Sequence, residues 1–293
     1  MRGHPADSGQ APATTRQPTS GTGCWAGLAL DRPRIMGVLN VTPDSFSDGG
    51  DFLNADAAIA AGLAMAAAGA DIIDVGGEST RPRSQATSPE IERARILPVI
   101  GGLATAGLRV SVDTRHATTM AAALDAGAII VNDVSALAFD PAAASLVAAR
   151  GCPVVLMHMR GTPDDMYAEA HYVDVVQDVR RELSDRIAAA RQAGIAQDRI
   201  AIDPGIGFAK QSGQSMQLLR RLPELGSLGY PILVGVSRKS FMASVTGETD
   251  PRRRLPASLA AGLFALARGA AILRVHDVAE TVQAVRTWQA LSC

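Results

Sequence analysis

Ile129-Ile130-Val131-Asn132 and Val154-Val155-Leu156-Met157-His158 bracket the helical stretch Pro141–Arg150, and Gly151 follows that stretch. Both short runs are apolar almost throughout rather than alternating, the pattern of parallel strands covered on both faces. The glycine sits where a left-handed residue closes a helix. Strand, helix and second strand make one βαβ unit. Working outward, the same pattern recurs over most of the chain. Strand-like runs fall at Ile35–Asn40, Asp71–Val75, Arg109–Asp113, Ile129–Asn132, Val154–Met157, Ile200–Asp203, Ile232–Gly235 and Ile272–Arg274. Helical stretches include Asp56–Ala68, Pro89–Ala106, Asp174–Ala193 and Ser258–Arg268. Ser88-Pro89-Glu90 reads as a helix start, and Pro98 is expected to kink or split the helix it lies in.

Strand ends from Asn40 to Arg274 are spaced by about 33 residues on average, enough for a strand, a helix and two loops. Eight such units in roughly 250 residues have the size of a (β/α)8 barrel. An open doubly wound sheet would more often carry about five or six strands and a glycine-rich first turn. The sequence therefore predicts an α/β fold, a single-domain (β/α)8 TIM barrel over residues 31–293. Residues 1–30 are expected to be a disordered tail. Arg2–Cys24 holds no Ile, Leu, Val, Phe, Trp or Tyr to offset the entropy of ordering.

The 293 residues carry 28 basic and 29 acidic side chains, a formal charge of −1. That near balance gives no reason to expect a nucleic acid or an anionic membrane as partner. Any anion must be held by a local site. The longest uncharged apolar stretch, Ala57–Ala70, is 14 residues long, short of the roughly 18 that a spanning helix needs. Cys24, Cys152 and Cys293 form no disulfide framework and no C-x-x-C pair, which suits a reducing cytoplasm.

In a barrel of this kind the C-terminal ends of the strands build the active site. Here those ends read Asn40, Asp74-Val75-Gly76, Asp113, Asn132, Met157-His158, Asp203, Gly235-Val236-Ser237-Arg238-Lys239 and Arg274-Val275-His276. Solvent at strand ends explains two or three such polar residues but poorly explains the set. Asp113, Asn132 and Asp203 offer acceptors and one amide, suited to a planar, nitrogen-rich ring with several N–H donors. Arg238, Lys239, Arg274 and His276 place cations after the seventh and eighth strands, where barrels commonly bind phosphate. Arg274 lies inside an apolar run and needs an anion or a partner. Gly205-Ile206-Gly207-Phe208-Ala209-Lys210 imitates a dinucleotide fingerprint, but its sixth residue is lysine and it comes late in the chain.

Met36-Gly37-Val38-Leu39-Asn40-Val41-Thr42-Pro43-Asp44-Ser45-Phe46-Ser47-Asp48-Gly49-Gly50 closely resembles the opening of the dihydropteroate synthase family. So do Gly76-Gly77-Glu78-Ser79-Thr80-Arg81-Pro82, Val112-Asp113-Thr114, Asn132-Asp133, Asp203-Pro204-Gly205-Ile206-Gly207-Phe208, Ser237-Arg238-Lys239-Ser240 and Arg274-Val275-His276-Asp277, in the family's order. The resemblance implies an enzyme of folate biosynthesis, a transferase. It would join 6-hydroxymethyl-7,8-dihydropterin diphosphate to 4-aminobenzoate, by dissociative substitution at the pterin methylene. It implies Asp113, Asn132, Asp203 and Lys239 as the pterin site, with Asp113, Asp203 and Lys239 carrying the catalysis. Thr80, Arg274 and His276 would hold the diphosphate, and Asn40 its Mg²⁺. Phe46, Arg81, Pro82, Phe208 and Ser240 would frame the aminobenzoate. A homodimer is the family's usual assembly, with the late helices as interface.

The loops Val41–Phe52 and Gly76–Ser88 are expected to close over the site and exclude water. Two residues depart from the family pattern: Arg83 and Ala209 stand where glycine is common. A rival within the same barrel class is a methyltransferase using methyltetrahydrofolate. It has no need of the Ser237–Ser240 and Arg274–His276 anion groups. A non-catalytic pterin-binding relative should lack loop residues or Asn40, and all are present.

Overall fold

Arg34–Asn40 (β1), Ile72–Gly76 (β2), Val110–Asp113 (β3), Ile130–Asp133 (β4), Val154–Met157 (β5), Ile200–Asp203 (β6), Leu233–Val234 (β7) and Ile272–Val275 (β8) pair in parallel. The pairing order is β6-β5-β4-β3-β2-β1-β8-β7, and a parallel bridge between Ile202 and Ile232 joins the two open ends. The result is a (β/α)8 barrel, as the spacing predicted. The computed structural model describes residues 23–42, 51–78, 87–161 and 169–292, with backbone alone for 51–54. The main helices are α1 Asp51–Ala67, α2 Pro89–Thr105, α3 Ala117–Asp125, α4 Ala143–Arg150, α5 Val175–Gln192, α6 Ser212–Arg220, α7 Leu255–Ala267 and α8 Val278–Ser292.

Local chemistry sets the boundaries. Ser88 caps α2, its Oγ accepting from the Ile91 amide, with Pro89 in the first turn. Asp174 caps α5 through two amides, those of Val176 and Gln177. Gly151 closes α4 at φ 61°. Pro98 does not split α2, which runs unbroken from Pro89 to Thr105. One lost amide donor is outweighed by the face that α2 buries through Ile96, Val99, Ile100 and Leu103.

The barrel interior follows from the period of two along each strand. Met36, Ile72, Ile130, Val155, Ala201, Leu233 and Ile272 form one apolar layer inside the barrel. Two residues further along the same strands stand Val38, Asp74, Asn132, Met157, Asp203, Gly235 and Arg274. The inner face thus changes from apolar to largely polar within one step of the pleat. The intervening residues, such as Ile73, Val131, Leu156 and Ile202, face the helices in the larger core.

The tail boundary at residue 30 needs correction. Cys24–Trp25 and Leu28–Ala29 form an antiparallel hairpin. Its turn residues Ala26 and Gly27 have φ 51° and 71°, the double positive φ of a tight hairpin turn. Trp25, Leu28 and Leu30 pack on the apolar inner layer, so the hairpin plugs the N-terminal mouth of the barrel. Trp25 is 1% exposed, and its Nε1 donates to the Arg199 carbonyl at 3.0 Å. Arg34 Nε donates to the Ala29 carbonyl at 2.6 Å, tying the hairpin to β1. Trp25→Ala is expected to cost about 3–5 kcal/mol of stability while leaving substrate affinities unchanged, because the plug lies at the mouth opposite the site. Thermal or denaturant unfolding alongside ligand titration measures both.

Candidate active site

At the other mouth, the polar inner layer lines a cavity that brings together Asp113, Asn132, Asp203, Phe208, Lys239, Arg274 and His276. Each arrives at or just beyond a strand's C-terminal end, as the sequence predicted. Asn40 ends β1, half-buried, in register with Gly76 of β2. Ser240 is exposed and starts a short 3-10 turn, Ser240–Met242. It does not line the cavity. Phe46, Thr80, Arg81 and Pro82 lie outside the described residues, as do most of the two loops and Arg83.

Arg274 organises the floor. Its Nε donates to Asp74 Oδ2 and its Nη2 to Asp113 Oδ2, both at 2.6 Å. Asn132 Nδ2 donates to the same Asp74 oxygen at 2.9 Å. The partner that an arginine in an apolar run requires is therefore supplied here by two carboxylates of the barrel. Asp74 is fully buried, and the sequence alone assigns it no role beyond its strand end. Its signal was available: an aspartate inside Ile72-Ile73-Asp74-Val75, the mirror of Arg274 in its own run.

Burial raises the Asp113 carboxyl to about 7; Arg274 pulls it down and Asp74 pushes it up. Burial raises Asp203 to about 6, opposed by the Gly205 amide and by Lys239. That amide donates to Asp203 Oδ1 at 2.7 Å. Lys239 is lowered by burial to about 8, with Asp203 holding it up. Its Nζ stands 3.8 Å from the centre of the Phe208 ring, a cation over a π face. Burial, then the Arg274 charge, push His276 down to about 3, so its ring is neutral near pH 7. The ring's Nδ1 lies 3.0 Å from Ser237 Oγ. Among the described residues, the cations of the pocket at neutral pH are thus Arg274 and Lys239.

Arg238 does not join them. It pairs with Asp277, and its backbone holds φ 61°. Its amide donates to Ser258 Oγ at 2.9 Å, and its carbonyl accepts from Arg254 at 3.0 Å. The turn that carries Lys239 is therefore fixed from α7. On the β6 side, Ala209 adopts φ 49° and is fully buried. A left-handed alanine costs about 1–2 kcal/mol. A glycine there would lose about 0.8 kcal/mol of buried methyl and add freedom to the unfolded chain. The two nearly cancel, so the departure from glycine leaves the turn intact.

The chain matches the family described as "Pterin binding enzyme" over residues 36–276. It is 48% identical over 267 residues to dihydropteroate synthase of Neisseria meningitidis serogroup C, covering 90% of this chain and 94% of the relative. Its fold superposes on the Xanthomonas albilineans dihydropteroate synthase with 4-aminobenzoic acid, with TM-score 0.86 and 50% identity. That alignment covers 92% of this chain and 97% of the other. The X. albilineans enzyme in complex with 7,8-dihydropteroate aligns with TM-score 0.83 and 48% identity over 91% and 96%. With about half its aligned residues shared over about nine-tenths of its length, the chain belongs to the dihydropteroate synthase family of pterin-binding enzymes.

Proposed function

We propose that this chain condenses 6-hydroxymethyl-7,8-dihydropterin diphosphate with 4-aminobenzoate, giving 7,8-dihydropteroate and diphosphate. One observation carries the reading: two buried carboxylates, one amide and two cations meet in a single cavity at the C-terminal mouth of the barrel. Asp113, Asn132 and Asp203 accept from and donate to the pterin edge. Lys239 donates to an acceptor of the same ring. As the methylene carbon loses its diphosphate, positive charge spreads into the ring, and Asp113 and Asp203 stabilise it. Arg274 and neutral His276 receive the departing diphosphate, with Thr80 from the second loop. The amine of 4-aminobenzoate then attacks a carbon already positioned for it. Phe208, with Phe46, Arg81 and Pro82, frames that second substrate, and Ser240, exposed outside the cavity, donates to its carboxylate at the outer end.

The residues present suit Mg²⁺ carried in by the substrate. Among the described residues no three His, Cys, Asp or Glu side chains group as a metal cage. Asn40, half-buried at the end of β1, offers a single neutral oxygen, the kind of ligand that leaves room for water and diphosphate oxygens. Bound there with the diphosphate, Mg²⁺ would neutralise charge on the leaving group. A homodimer through the late helices is supported by the exposed Phe264 of α7 and Leu291 of α8. The free thiols of Cys24 and Cys152 suit a reducing, cytoplasmic setting. The test is diphosphate release from purified protein. Release that requires 4-aminobenzoate is expected. Release at the same rate without it, or none with both substrates, would overturn the reading.

A further inference from the structure

Lys210 lies behind the cavity wall, not in it, and is 2% exposed. Its Nζ is 2.8 Å from the Phe208 carbonyl oxygen, 2.9 Å from His158 Nδ1 and 3.4 Å from the His158 carbonyl oxygen. An ammonium has three N–H donors, and here three acceptors meet it. Nδ1 can accept only in the Nε2–H tautomer, and Nε2 is 3.0 Å from Glu182 Oε2 of α5, which accepts that proton. The ammonium is therefore wired through His158 to the outer helix layer.

The turn it holds has no slack. Gly205 sits at φ 65°, and a Cβ there would fall 2.0 Å from the His158 carbonyl oxygen and 3.3 Å from Lys210 Nζ. The next carbonyl, that of Ala209, accepts from the Tyr172 hydroxyl at 3.0 Å. Two successive carbonyls, Phe208 and Ala209, are thus pinned from outside the barrel. On the inner side the Phe208 ring supports the Lys239 ammonium at 3.8 Å. Burial lowers Lys210 to about 7, a cost that a methionine of similar length would avoid while filling the same space. An apolar side chain would pack there but would fix no carbonyl.

We infer that Lys210 is a positioning residue that acts through Phe208, holding the Phe208 main chain so that its ring presents to the aminobenzoate. The inference rests on the function proposed above. It is tested by steady-state kinetics on wild type, Lys210→Met, Phe208→Ala and the double variant. Lys210→Met is expected to raise KM for 4-aminobenzoate about tenfold. KM for the pterin diphosphate should move less than about twofold, because Asp113, Asn132 and Asp203 end rigid strands and the turn carrying Lys239 is held independently through Ser258 and Arg254. In the Phe208→Ala background the same substitution should change the aminobenzoate KM less than about twofold. Equal factors in both backgrounds, or an equal rise in both KM values, would overturn the role. Should Lys210→Met fail to fold, His158→Leu removes the ring acceptor of Lys210, together with the bond to Glu182, and leaves both carbonyl acceptors in place. It should give a smaller shift in the same direction, also erased by Phe208→Ala, and a full-sized shift persisting in that background overturns the role. Wild type without aminobenzoate-dependent release would strike the function reading; active wild type with an additive cycle strikes only Lys210.

Discussion

Arg274→Met is expected to lower stability by about 3–5 kcal/mol and kcat/KM by about 10²–10³-fold, through two separable causes. The guanidinium bridges Asp74 and Asp113 at 2.6 Å each. Without it, two carboxylates share one floor with no cation between them, and the stability loss follows from uncompensated charge. The activity loss has a different origin, since in the proposed role of Arg274 the departing diphosphate loses a cation. Adding Asp74→Asn removes one of the stranded charges. The double variant should regain a substantial part of the stability and none of the rate. Denaturant unfolding and initial rates on the three proteins measure this. A single variant with wild-type stability and activity within about tenfold would contradict the assignment of Arg274 to both tasks.

The second large effect is a bell-shaped pH dependence of kcat/KM for the pterin diphosphate. In the proposed roles Asp113, raised to about 7, and Asp203, raised to about 6, accept from ring N–H groups with both oxygens only when ionised. The acid limb should fall below about pH 7 and steepen below about pH 6 as the second carboxylate is protonated. Lys239, lowered to about 8, loses its charge on the alkaline side. Asp203→Asn should reduce the acid limb to one proton and Lys239→Met should flatten the alkaline one. Stability carries the same signature with the opposite sense. A carboxyl raised on folding stabilises the native state below its unfolded value, and that contribution is lost as pH rises through the folded value. Wild type should therefore gain on Asp203→Asn by up to about 3 kcal/mol as pH falls from 7 to 4. The difference matters, not the bare profile: His158 and His276, pushed down by burial to about 4 and 3, lose stability over part of the same range. An unchanged difference between the two proteins across that range would contradict the upward shift of Asp203.

The barrel is legible because its strands are apolar almost throughout, and Val154–Met157 and Ile200–Asp203 fall within the predicted bounds. The site was legible because alternation puts polar residues two positions beyond an apolar floor, as in Ile130 and Asn132 or Ala201 and Asp203. Pairing was not. Arg274 and Asp74 are 200 residues apart, and no periodicity joins them. The sequence points Arg274 to the diphosphate alone and Asp74 to no role. The hairpin is not legible in the sequence, since Trp25, Leu28 and Leu30 adjoin the apolar-poor Arg2–Cys24 and their burial depends on a barrel mouth the local sequence does not reveal. Lys210 registered only as the residue that spoils a dinucleotide fingerprint; that it is buried against Phe208 and His158 is a tertiary fact. Phe46, Thr80, Arg81 and Pro82 came from resemblance alone and lie outside the described residues.

On the proposed function, this barrel makes a carbon–nitrogen bond at the pterin methylene while the bond from that carbon to the bridging oxygen breaks. Pterin diphosphate labelled with ¹⁸O at the bridging position tests it most directly. In the presence of 4-aminobenzoate, all of the label should leave in diphosphate, in step with formation of 7,8-dihydropteroate. Label retained on a hydroxymethylpterin product would place the cleavage at phosphorus and contradict the account.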